Sequence, residues 1–175
     1  MRIAASQIVQ WVDAHSKEAQ SYLPYLVGRL CYDPRLTTAI AFPSDDSTCM
    51  PSWDGMLSNK EGNAWVPAEN SRWEVGCDKR VTQKANREYS KRTSKTPSEG
   101  RMANTFVFVT PRRWKGKQTW IAQKKSESEW ADVKALDADD LEQWLGHTPA
   151  VALQFAEHIG LIGWGVVSLP RQWEL

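Results

Sequence analysis

Three cysteines in 175 residues are too few to frame a disulfide-rich domain. Cys31, Cys49 and Cys77 form no C-x-x-C pair, so neither a disulfide framework nor a zinc knuckle is expected, and buried thiols in a reducing compartment are the simplest reading. The three histidines, His15, His147 and His158, are scattered and match no metal-ligand spacing. No apolar run approaches the roughly 18 residues that span a bilayer. The N-terminal stretch turns polar after position 12, which argues against a secretory signal. A cytoplasmic chain without membrane contact is therefore expected. Internal repeats and low-complexity segments are also missing, which excludes a solenoid.

What is present in excess is tryptophan, ten residues in all, a large core contribution whose indole N–H groups need partners. The net charge of +1 hides a strong asymmetry. Twelve Lys/Arg against two acids between Lys79 and Lys117 leave +10 there and −9 elsewhere. Such a segment suits a phosphate-binding surface, since nonspecific nucleic-acid affinity is mostly charge neutralisation. A solvated helix face would carry the same charges.

Hydrophobic periodicity predicts helices over 4–13 and 16–31, the second capped by Ser16 and kinked at Pro24. Strands are predicted over 37–42, 49–57 and 72–77, with turn residues between 58 and 71 that suit an antiparallel link. A basic helix over 80–93 turns Val81, Ala85 and Tyr89 inward, and a loop over 94–103 follows. The continuous apolar run 104–110 reads as a strand buried on both faces. Then come a helix over 117–127, a strand over 130–136, a helix capped by Asp137 to Asp139, and another from Thr148-Pro149 to Gly160. This order implies one α/β domain over residues 1–160, with three layers and a mixed sheet of about five strands flanked by helices. Residues 161–175 are read as a tail or linker.

Within that frame two carboxylates stand out. Asp54 in WDGML and Glu74 in WEVGC are separated by nineteen residues. On adjacent antiparallel strands both side chains can share a face and hold Mg²⁺, which prefers carboxylate and water oxygens. Gly55 would permit close backbone approach beside the metal. A lysine two residues after the second acid would share its face, but position 76 is Gly. The following helix offers Lys84 or Lys79 instead, with Lys84 preferred because it could reach back over Gly76. Lys84, Arg87 and Lys91 (i, i+3, i+7) form a basic edge. Taken singly each piece has an ordinary alternative: Asp54-Gly55 as a turn, Glu74 as a solvent-facing strand residue, Lys84 as a surface lysine.

Longer blocks, among them PSWDGML, NAWVPAENSRWEVGCDKRVTQKANREYSKRT, TFVFVTPRRWKGKQTWIAQKK and WADVKALDADDLEQWLGHTPAVALQFAEHIG, resemble PD-(D/E)xK restriction-endonuclease-like domains. Domains of that kind are often found at the N-terminus of bacterial antiviral proteins that carry a nucleotide-binding NTPase sensor module. The resemblance covers about residues 6–160. It implies a Mg²⁺-dependent DNA endonuclease, with Mn²⁺ as an alternative metal, whose acids fall at Asp54 and Glu74 and whose lysine departs from the family pattern at Gly76. It further implies Glu18 as an assisting helix acid. The expected DNA surface comprises Gln83, Arg87, Lys91, Arg92, Arg112 and Arg113, contacting mainly backbone phosphates, which position a substrate with little sequence information. A homo-oligomer when active and control by a sensor domain are expected partners. The rival expectation is an inactive nuclease-fold module for nucleic-acid binding or oligomerisation.

Overall fold

In the computed structural model, which describes residues 1–43 and 53–161, five strands form one sheet in chain order. They are β1 (Thr37–Ala41), β2 (Gly55–Asn59), β3 (Glu69–Val75), β4 (Thr105–Val109) and β5 (Asp132–Leu136). β1, β2 and β3 pair antiparallel, whereas β3, β4 and β5 pair parallel. Seven helices flank them: α1 (Ala5–Ala14), α2 (Ser16–Cys31), α3 (Val81–Lys95), α4 (Ser98–Met102), α5 (Lys117–Ser126), α6 (Ala138–Gly146) and α7 (Pro149–His158). The expected three-layer α/β arrangement with a mixed sheet is what the chain adopts. The polar turn at 43–48, Cys49 and the first half of the expected strand 49–57 lie wholly or largely outside the described residues, as does the tail after Leu161.

Strand alternation divides the core in two. Leu57, Trp73, Val75, Val107, Val109 and Leu136 face one way and pack on α1, α2, α6 and α7. Phe106, Phe108, Val133 and Ala135 face the other way, against Val81, Ala85 and Tyr89 of α3 and Trp120 of α5. β4 is buried along its whole length, as expected for a strand covered on both faces. Asp137 caps α6 by accepting from the Asp140 backbone N–H, and Pro149 opens α7. α2 continues through Pro24. Among the described residues no helix is long and apolar enough to cross a membrane.

Gly55 leaves room for packing: a Cβ there would lie 2.1 Å from the Phe42 ring. Gly55→Ala is therefore expected to cost about 1–3 kcal/mol, the usual range for overpacking, read as a lowered urea midpoint. An unchanged midpoint would show that Phe42 can swing aside.

Candidate active site

The β2–β3 ladder places the two acids. Gly55 pairs with Trp73, so one further step of the antiparallel register sets Asp54 opposite Glu74. Asp54 Oδ2 accepts from the Val75 backbone N–H at 2.8 Å, which fixes its carboxylate at the end of the ladder. Trp73 and Val75 belong to the core beneath α2, so Arg72, Glu74 and Gly76 share the opposite face, toward α3. Glu74 is only 3% exposed and its Oε1 accepts from Arg92 Nε. Burial first, and then the charge of Asp54, push the Glu74 carboxyl up to about 8, against the pull of Arg92. Asp54 thus opposes ionisation of Glu74, and a cation bound beside both would relieve that repulsion.

The rest of the cluster comes from α3. Lys84, Glu88 and Arg92 recur every four residues, so they form one stripe of the helix. Lys84 Nζ donates to Glu88 Oε1 at 2.7 Å. Burial pushes the Glu88 carboxyl up, but the hydrogen bond and charge of Lys84, then Lys91 and Arg92, outweigh it and hold it below the usual range. A Cβ on residue 76 would lie 2.8 Å from Lys84 Cγ and 3.1 Å from Lys84 Cε. The lysine stem, together with the Phe108 ring, thus fills the space that the glycine leaves just past β3. Three indole N–H groups set the rotation of α3: Trp114 donates to Thr82 Oγ1, Trp120 to Asn86 Oδ1 and Trp130 to Thr93 Oγ1, at 2.8, 2.8 and 2.9 Å. Each such bond contributes about 1 kcal/mol net, and together they aim the Lys84 stripe at β3.

In comparisons with protein-family models, curated proteins and solved structures, the chain matches none. Its own residues must carry the functional reading.

Several expected residues sit elsewhere. Arg92, assigned to the DNA surface, is instead buried: its guanidinium pairs with Glu74 and lies 4.8 Å from the Trp53 ring centroid. Arg112, assigned to the same surface, is also buried, donating to the Cys77 carbonyl and to Asp13. Both arginines are spent on protein acceptors. Glu18 pairs with His158 at 2.8 Å and His15 at 3.7 Å. Two positions on, about 200° around the helix, Gln20 hydrogen-bonds the end of β3, donating to the Val75 carbonyl and accepting from the Cys77 N–H just beyond it. Lys79 is exposed and 4.0 Å from Asp13. Gln83, Lys84 and Arg87 line a shallow basic depression of about 340 Å³ with Asp78, Lys79 and Arg80. Arg113 is exposed beside Asp139, and Lys91 lies near Glu88. Cys31 and Cys77 are buried free thiols.

Sequence reasoning missed Glu88, Gln20 and the inward role of Arg92. The four-residue repeat Lys84, Glu88, Arg92 was the available signal for two of them. Among the described residues no three His, Cys, Asp or Glu side chains are grouped tightly enough to hold a metal on protein ligands alone. A carboxylate pair completed by water and substrate oxygens still fits Mg²⁺, which keeps several waters and rarely uses an all-protein cage.

Proposed function

We propose that this chain is a metal-dependent DNA endonuclease domain of the PD-(D/E)xK type, hydrolysing phosphodiester bonds as an effector in bacterial antiviral defence. The observation that carries the reading is the cross-strand pair Asp54 and Glu74 with the Lys84 stem laid over Gly76. Asp54 and Glu74 would hold Mg²⁺ or Mn²⁺, which when bound supplies a more acidic water and offsets charge developing on the scissile phosphate. Lys84 takes the part of the lysine missing at position 76, presenting its amine beside the acids from a helix and not from the strand. Glu88 positions that amine, and Arg92 fixes the rotamer of Glu74. Gln83, Arg87, Lys91 and Arg113 line the outer surface on which backbone phosphates would rest. Activity in the cytoplasm, as a homo-oligomer and under a sensor or NTPase domain, belongs to the same proposal through the sequence resemblance.

The alternative, an inactive module, has two observations in its favour: Gly76 stands where the family's lysine would be, and Arg92 already satisfies Glu74 Oε1. Incubating the purified chain with supercoiled plasmid separates the two. Nicking or linearisation is expected with Mg²⁺ or Mn²⁺ and none with EDTA. Plasmid that is bound but never cut with either metal would leave only the inactive module.

A further inference from the structure

Beside the acid pair lies a second feature that no expected role absorbs. On the α3 side of the sheet, α3 and α5 cover β4, β5 and the Glu74 end of β3, while around Met56, Ser58 and Arg72 the face is only half-buried among the described residues. A cleft of about 370 Å³ runs over it, lined among others by Ala39, Ala41, Met56, Ser58, Asn70 and Arg72. Its lining mixes apolar and neutral polar side chains, and Arg72 is the one charged side chain among the described residues that line it.

Arg72 is unlike the other basic residues of the site. Lys84 and Arg92 are matched with Glu88 and Glu74, whereas Arg72 forms no ion pair among the described residues. Its Nε is buried and has no acceptor there. Its Nη1 reaches only the sulfur of Met56, its cross-strand partner, at 4.0 Å. The Trp53 ring, 5.6 Å from the guanidinium carbon, helps to hold the group in place. A half-buried guanidinium with unspent donors wants an anionic acceptor, and its forked donors match phosphate oxygens.

Register says which phosphate. Arg72 and Glu74 share a face two residues apart, a rise of about 6.7 Å along the strand, comparable to the step between neighbouring phosphates of one nucleic-acid strand. We infer that Arg72 binds the backbone phosphate next to the one held at Asp54 and Glu74, so that the substrate strand crosses β2 and β3 through the open cleft. This rests on the nuclease reading for the chemistry of the adjacent site. It makes Arg72 a substrate-binding residue with no part in bond cleavage.

The test is DNA binding by the whole chain in EDTA, using a labelled duplex titrated at several salt concentrations, for wild type, Arg72→Gln and Arg72→Lys. Arg72→Gln is expected to weaken binding about 10–100-fold, the scale of one lost charge-assisted contact, and to lower the salt slope by about one. Arg72→Lys should restore the slope while recovering only part of the affinity, which a merely misfolded variant would not do. Equal affinity and slope in wild type and Arg72→Gln overturn the inference, as does wild-type chain that binds no DNA. If Arg72→Gln binds normally and the wild type cuts, the inference falls and the nuclease reading stands. If binding depends on Arg72 and neither Mg²⁺ nor Mn²⁺ supports cutting, the nuclease reading falls and Arg72 keeps its phosphate.

Discussion

Glu74→Gln is expected to abolish metal-dependent cleavage while raising the melting temperature at pH 8. The two effects share a cause. Burial and the charge of Asp54 raise the Glu74 carboxyl from an ordinary 4.5 to about 8. Because the folded value is the higher one, the folded chain holds more protons than the unfolded chain between those two values, so this residue's contribution to stability falls as pH rises through that window. The amide cannot ionise, so the variant escapes that loss, and it can still accept from Arg92. Arg92 also keeps the charge of Glu88 nearby, which tempers the cost of removing its carboxylate partner. At this chain length each kcal/mol recovered is worth about 2–4 °C. Melting curves of both proteins from pH 5 to 8.5 without metal should diverge upward, and wild-type cleavage should rise across the same range as the carboxyl loses its proton. Full cleavage by Glu74→Gln would remove the residue from the site. Parallel melting curves would show that burial does not strain it.

Lys84→Ala should lower the cleavage rate by about 10²–10⁴, the range for a lost proton-transfer group, with DNA affinity changed far less. The stem of Lys84 is packed over Gly76 and its amine is held by Glu88 at 2.7 Å, so the group is positioned before substrate arrives. Lys79, exposed and loosely matched with Asp13, is the internal control, and Lys79→Ala should cut at nearly the wild-type rate. A dead Lys79→Ala beside an active Lys84→Ala would reverse the assignment. Single-turnover rates with excess enzyme measure the chemical step apart from product release.

Periodicity made most of the fold legible, because its elements are long or strongly patterned. β4 was recognisable as TFVFV, α7 by Thr148-Pro149 and α3 by its apolar stripe. α4 was read as loop because SKTPSEGRMA carries Pro and Gly, and only five of its residues turn helical. β2 begins at Gly55, so Asp54 lies just ahead of its strand, anchored by the Val75 N–H. Asp54 and Glu74 were singled out by type and spacing, and the register brings them opposite one another. Charge counting failed for Arg92 and Arg112, because a basic residue reads the same whether it faces solvent or a buried acceptor. Arg112 looks like loop charge until Asp13, ninety-nine positions away, is seen beside it. No local pattern contains such a pairing.

The β2–β3 connection has a consequence for how the site is assembled. Only residues 60–68 separate the two strands, a tether tightened where Asn63 Oδ1 accepts from the Trp65 and Val66 N–H groups. Closing so short a segment costs little chain entropy, and the cost grows only with the logarithm of length. From Asp54 to Arg92 the chemistry-bearing cluster is one unbroken stretch of chain, whereas the opposite core joins α1 and α2 to α6 and α7 across most of the sequence. The geometry of the acids is thus set by short-range closure, and the distant chain ends supply the platform beneath it.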